Sequence, residues 1–342
     1  MSAECRPGTD VGGPVAQGCP GPPGPHGSPG SGIEVPAALA ASHDRYRGAE
    51  GRAWIAALPD LAADFMDRWQ LRADGPPSHG AVALVLPVVR ADGAPAALKL
   101  QPVDEETRGE PVALRAWDGD GAVRLMHDAT ESGAMLLERL DASRPLSTVH
   151  DDMAAVRILS ELLARLVALP APEGLRRLAD VAAAMLEQLP WALARLPDPS
   201  DRRLLDTCAG AVRDLLGEAG DRLLHWDLHY DNVLAPRPSS SAREPWLAID
   251  PKPLAGDPGF ELLPALGDRW DEIVASGDVA RAVRRRFDLM TEILGLDRRR
   301  ATGWTLGRVL QNALWDVEDG ETAVAPEQKT IAGVLLDGPR SP

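Results

Sequence analysis

The sequence predicts an α+β protein of two lobes, a small β-rich N-terminal lobe and a larger helical C-terminal one. Three observations carry that prediction. Apolar, β-branched runs gather between residues 81 and 140, amphipathic helical stripes dominate beyond 140, and between Asp221 and Asp250 the helical pattern yields to a short strand–loop–strand insert. The lobes are placed at residues 33–138 and 139–336, with a leader over 1–32 and a tail over 337–342.

Of the 342 residues 44% are hydrophobic and 25% charged, an ordinary globular balance with enough chain for two packed units. Asp and Glu number 51 against 36 Lys and Arg, for a formal charge of −15. Such a surface repels phosphate backbones, which argues against nucleic acid or an anionic membrane as partner and favours a cationic small molecule. No apolar run reaches the roughly 18 residues of a membrane helix, and no basic-then-apolar secretory start is visible. Cys5, Cys19 and Cys208 have neither paired nor metal-like spacing. The expectation is a cytoplasmic monomer.

Taken in order, residues 1–32 hold nine glycines and seven prolines, with glycine at every third position from Gly18 to Gly30. A single chain with so few triplets cannot build a triple helix, so a disordered leader is expected. Residues 33–70 read as helix through Trp54, Ile55, Leu58, Leu61, Phe65 and Trp69, with Pro59 expected to split it. Ala81–Val89 and Ala96–Leu100 read as strands joined by a turn at Asp92-Gly93. A helix follows over about 105–117, then strands at Ala122–Met126 and Ala134–Leu140. Helical stripes occupy 152–169, 175–196 and 202–216, and after the insert about 259–273, 278–294, 297–318 and 326–336.

The chemistry concentrates in Leu223-Leu-His-Trp-Asp-Leu-His-Tyr-Asp-Asn-Val-Leu234 and Trp246-Leu-Ala-Ile-Asp250. An Asp, an Asn five residues later and a second Asp closing the next apolar strand suit phosphoryl transfer. That reaction needs a carboxylate to orient a hydroxyl and oxygen ligands for Mg²⁺ on the nucleotide phosphates. Asp227 reads as the base, Asn232 and Asp250 as metal ligands. Lys99, one of only three lysines, lies within an apolar strand and reads as a phosphate ligand. Its acidic partner would be Glu110 or Glu106, Glu110 being preferred because Pro111 suits the first turn of the following helix. No glycine-rich phosphate loop is present. Ser78, at the expected tip of the first hairpin, is the remaining candidate to cover the phosphates. His225 and His229 have zinc-helix spacing, but Trp226 stands where a metalloprotease has Glu, so His225 reads as a loop buttress and His229 as substrate-adjacent.

His225-Trp-Asp-Leu-His-Tyr-Asp-Asn232 with Ala248-Ile-Asp-Pro-Lys-Pro-Leu-Ala-Gly-Asp-Pro258 resembles the aminoglycoside phosphotransferases, most closely their streptomycin 6-kinase and hydroxyurea-resistance branch. Glu50–Pro59, Leu136–Asp141 and Leu310–Gly320 extend the likeness over about 35–335. The resemblance implies a protein-kinase-like fold, ATP between the lobes, two Mg²⁺ ions, and phosphorylation of the 6-hydroxyl of streptomycin. It puts the adenine-binding hinge at Glu138-Arg139-Leu140. Lys252 stands where an acidic or neutral residue is expected. Acidic groups at helix ends, Asp268, Asp271 and Glu272, then Asp316, Glu318 and Asp319, are candidates to bind guanidinium groups. Asp257-Pro258 fits an N-cap followed by a first-turn proline. The alternatives are hydroxyurea or another small hydroxyl acceptor, or a non-catalytic drug-binding pseudokinase.

Overall fold

Gly48, rather than Pro59, breaks the first helix. In the computed structural model, which describes residues 33–238 and 245–338, helix α1 (Ala37–Arg68) runs through Pro59, while Gly48 takes φ 55°, ψ −127°. Such a backbone suits glycine alone, and it brings the chain back so closely that a Cβ on Gly51 would lie 2.3 Å from the His43 carbonyl oxygen. Buried Leu58, Ala62 and Phe65 hold the helix on either side of the proline. The expected leader, 1–32, and residues 339–342 of the expected tail lie outside the described residues.

The described chain packs as two compact units, residues 33–104 with 127–137, and residues 105–126 with 138–338. Residues 105–126, expected in the N-terminal lobe, thus pack with the helical unit. The first unit carries a sheet ordered Arg72–Ala73, Leu84–Val89, Pro95–Leu100, Ala134–Glu138, Leu125–Ala129, with Ser78–His79 also pairing against Leu84–Val89. The Asp92-Gly93 turn forms as expected, with Gly93 at φ 82° and Asp92 Oδ1 accepting from the Ala94 amide at 2.9 Å. Lys99 is buried and lies opposite Val85 in an antiparallel register. Ser78 sits within a strand rather than at a tip, with its hydroxyl donating to the Val85 carbonyl at 3.3 Å.

The second unit holds α2 (Glu110–Trp117), α3 (Asp152–Leu166), α4 (Leu178–Leu193), α5 (Pro199–Leu215), α6 (Leu262–Gly267), α7 (Trp270–Ala275), α8 (Val279–Leu294), α9 (Arg298–Glu318) and α10 (Pro326–Leu336). Helix α2 starts at Glu110 with Pro111 in its first turn, five residues later than the pattern suggested. The expected strand Ala122–Met126 shifts to Leu125–Ala129, Ala122 making only a single bridge to Ala248. The expected helix over 259–273 divides into a 3₁₀ turn (Pro258–Glu261), α6 and α7, because Arg269 takes a left-handed backbone between the helices. Aspartates cap α3, α5, α8 and α9 through Asp151, Asp198, Asp278 and Asp297. Part of the acidic excess therefore does structural work.

Helices α5 and α9 approach closely because Gly303 and Gly307 face Leu215 and Val212. A Cβ at Gly303 would come within 2.5 Å of Leu215 Cδ1. This seating brings the next turns of α9, bearing Arg308, Gln311 and Trp315, against the loop that follows Leu224.

Candidate active site

The loop after strand Arg222–Leu224 is held by its first residue. His225 is wholly buried, and its Nε2 lies 3.0 Å from the Ile249 carbonyl while its Nδ1 accepts from the Asp227 amide at 3.3 Å. Those two partners require a neutral imidazole with the proton on Nε2. Burial drives its pKa down to about 3, which keeps it neutral. The Lys252 amide donates to the His225 carbonyl at 2.9 Å, and the Ile249 amide to the Asn232 carbonyl at 2.9 Å. The two segments singled out in the sequence are thereby locked together, and antiparallel pairing of Val233–Leu234 with Leu247–Ala248 extends the lock.

Within this frame Asn232 Nδ2 donates to the Asp227 carbonyl at 2.8 Å and lies 3.4 Å from Asp227 Oδ2. With its NH₂ engaged there, the amide turns its oxygen side elsewhere. Burial raises the Asp227 pKa, opposed by the nearby charges of His229, Lys252 and Arg308. Asp250 closes the strand with φ 57°, and its Oδ2 lies 3.0 Å from Lys252 Nζ. Lys252 is only 8% exposed, and the Asp250, Asp227 and Glu110 charges raise its pKa against the effect of burial. A carboxylate and an amide oxygen form the hard-oxygen set that Mg²⁺ takes, so Asp250 and Asn232 fit the ion that the chemistry calls for. Among the described residues no group of three or more His, Cys, Asp or Glu is arranged to hold a metal ion.

Trp226 shows how the loop is kept in shape. It takes φ 67°, a left-handed conformation that costs a bulky residue about 1–3 kcal/mol. Its amide donates to Glu261 Oε1 at 2.7 Å and its indole Nε1 to Gln311 Oε1 at 3.3 Å. The guanidinium of Arg176 lies 4.5 Å from its ring centroid and that of Arg308 at 5.1 Å. Buried cation–π contacts can reach about 2 kcal/mol each, so these partners are sufficient to offset the strain. Burial lifts Glu261 to about 7. Glu261 ends the 3₁₀ turn that Asp257 opens by accepting from the Gly259 amide at 2.8 Å, the N-cap expected from sequence. Glu261, Arg176 and Arg308 were not singled out by the sequence reading. The one available sign was a lone Arg in the apolar run Leu306-Gly-Arg-Val-Leu310.

The remaining candidates are spread more widely. Glu110 and Glu106 are both buried, and Glu106 lies 3.9 Å from Arg176. Glu138 and Leu140 are half-buried, the latter paired with Pro236. Asp268 packs against the loop after Leu224, where its Oδ2 accepts from the Tyr230 amide at 2.9 Å and burial raises its pKa to about 6. His229 is half-buried and lies near enough to Asp227 and Asp268 to act on both carboxyls. Asp271 and Glu272 are exposed on the first turn of α7, Glu272 lying 3.9 Å from Arg269. On α9, Asp316 is half-buried, Glu318 and Asp319 are exposed, and Glu318 accepts from Gln188.

Similarity to known proteins agrees with this arrangement. Residues 68–320 match the family described as aminoglycoside/hydroxyurea antibiotic resistance kinase. The chain is 61% identical over 303 residues to a streptomycin 6-kinase of Streptomyces glaucescens, covering 89% of this chain and 97% of that one. It is 56% identical over 309 residues to a hydroxyurea phosphotransferase of Kitasatospora aureofaciens, covering 90% and 87%. Among solved structures, a thermostable mutant of aminoglycoside phosphotransferase APH(4)-Ia in complex with ADP and hygromycin B aligns with TM-score 0.55 at 14% identity, over 82% of this chain and all of that one. That likeness identifies the protein-kinase-like fold. With the loop geometry and the family match in agreement, the chain belongs to the aminoglycoside/hydroxyurea antibiotic resistance kinases.

Proposed function

We propose that this protein transfers the γ-phosphoryl group of ATP to the 6-hydroxyl of streptomycin and so inactivates the drug. The observation that carries the reading is the 61% identity over nearly the full length of a streptomycin 6-kinase. The catalytic loop supplies matching chemistry. Asp227 accepts a hydrogen bond from the attacking hydroxyl and aims it, while Asn232 Nδ2 fixes the carboxylate from the side. Asn232 and Asp250 are the residues to hold Mg²⁺, which when bound neutralises charge on the phosphate oxygens. Lys99 is assigned to the nucleotide phosphates with Ser78, and Glu138 and Leu140 to the adenine. Because the transition state of phosphoryl transfer is loose, positioning and charge neutralisation account for most of the acceleration and proton removal for little.

Streptomycin carries guanidinium groups, and Asp268, Asp271, Glu272, Asp316, Glu318 and Asp319, with His229, are the side chains proposed to select it. Transfer adds about −1.5 to −2 charge to a cation whose target is anionic RNA, so rebinding is disfavoured. The work is assigned to the cytoplasm, where ATP is available. Among the described residues no helix is long and apolar enough to cross a membrane.

Incubation with streptomycin and Mg-ATP, followed by mass spectrometry and phosphorus NMR, tests the reading. One added phosphate on the 6-hydroxyl is expected, and an unchanged drug mass would defeat it. The 56% identity to a hydroxyurea phosphotransferase favours a second acceptor, hydroxyurea. Comparing kcat/KM for the two compounds decides between them, and a higher value for streptomycin is expected.

A further inference from the structure

Lys252 has an uncommon setting for an amine. Its backbone is fixed by prolines on both sides, Pro251 and Pro253, and by its amide hydrogen bond to the His225 carbonyl. Pro253 packs against Gly109 so tightly that a Cβ there would lie 2.8 Å from the proline Cγ. That contact seats the first residue of α2, Glu110, near Lys252. The side chain then folds back to Asp250, whose left-handed backbone turns its carboxylate toward the amine. The ammonium group thus lies 3.0 Å from Asp250 Oδ2, and the charges of Asp227 and Glu110 also act on it.

A carboxylate has two oxygens. Lys252 lies 3.0 Å from one of those on Asp250, so a metal ion on that oxygen would sit beside a fixed positive charge. A two-metal phosphoryl site needs carboxylate oxygens to hold both ions, and a fixed ammonium in their midst repels a second divalent cation. We infer that Lys252 is a chain-borne cation standing in for a second metal ion, so that this active site works with one Mg²⁺ per nucleotide. The inference rests on the kinase reading above and narrows it. It accounts for a lysine where an acidic or neutral residue was expected, in a chain that otherwise uses arginine almost throughout. A guanidinium is larger and more delocalised, whereas an ammonium is a compact point charge close to the role of a metal ion.

The test counts ions rather than turnover. The full chain is first assayed for binding of AMP-PNP by calorimetry, then titrated with Mn²⁺ at saturating AMP-PNP and followed by electron paramagnetic resonance. The wild type should bind one Mn²⁺ per chain, K252R one, and K252Q two. Without nucleotide, K252Q should bind Mn²⁺ about tenfold more tightly than wild type, because a like charge beside the ligand set is gone. Two ions in the wild type would overturn the inference, even if K252Q failed to fold. So would a single ion in K252Q with unchanged Mn²⁺ affinity, which would leave Lys252 a structural ion pair. Failure to bind AMP-PNP at all would overturn the kinase reading and this inference together, whereas nucleotide binding with two ions would remove only the latter.

Discussion

The carboxylates of the catalytic loop and those at the ends of α7 and α9 are the same chemical groups under opposite conditions. Asp227 is buried, with Asn232 beside its carboxylate and its own amide on His225. Asp271 and Glu272 project from an exposed helix start. A buried and oriented carboxylate has one geometry in which to act and can steer a reacting hydroxyl. An exposed one is screened by water and contributes by attraction over a range of poses. Asp268, only three residues from Asp271, belongs with the first group because it grips the Tyr230 amide. Neighbourhood in sequence does not determine which set a carboxylate joins.

Four variants would break or sharpen that contrast. The largest effect is expected for D227N, which keeps the shape and removes the charge. Streptomycin phosphorylation should fall by at least about 10³-fold while AMP-PNP binding stays within a few-fold, as measured by single-turnover assay and calorimetry. Retained transfer would remove Asp227 from the mechanism. Next comes R286A. Arg286 is almost wholly buried, pairs with Asp152 and donates to the carbonyls of Ala265, Leu266 and Asp268. Its loss should cost about 3–5 kcal/mol in urea unfolding, because several buried acceptors lose their donor at once.

A smaller effect is expected from the exposed pair. D271N and E272Q together should raise KM for streptomycin about three- to tenfold with kcat unchanged, since each exposed charge contributes at most about 1 kcal/mol. KM for hydroxyurea, which carries no guanidinium, should not move. A fall in kcat instead would place these residues with the buried set. The smallest effect concerns pH. The folded pKa of Asp268, raised to about 6 by burial, exceeds the ordinary carboxylate value, so the folded state retains a proton that the unfolded chain has released. The stability from this group is full below about pH 4 and is lost as pH rises through about 6. The groups acting on it are His229, Arg286 and Asp231, together with the Tyr230 amide. D268N keeps an acceptor for Tyr230 without the titration. Between pH 4 and 7 it should therefore lose less stability than wild type in parallel unfolding curves.

The loop was legible in the sequence because its parts lie within a few residues of each other and their spacing survives folding. Asp227, Asn232 and Asp250 needed only one strand pairing to meet. The support beneath Trp226 was not legible. Glu261, Arg308 and Gln311 lie 35–85 residues away and carry no periodic mark, and only the packing of α9 brings them to the loop. The first helix teaches the converse lesson. Pro59 looked like the breaker from local propensity, but buried neighbours carried the helix through it, and the true break fell at Gly48, whose backbone freedom left no trace in the apolar pattern. The hairpin tip expected near Ser78 was misplaced because Ser78–His79 forms a short additional strand, too brief to stand out from a polar turn.

Gly303 and Gly307 lie on the back of α9, away from any reacting atom, yet they set the depth at which that helix rests. A resistance allele bearing alanine at Gly303 would look harmless in a survey confined to the nucleotide and drug sites. Its added methyl group would meet Leu215 Cδ1 at 2.5 Å, the free end of a half-buried side chain that can turn aside, so the expected outcome is a small loss of stability with phosphotransfer retained.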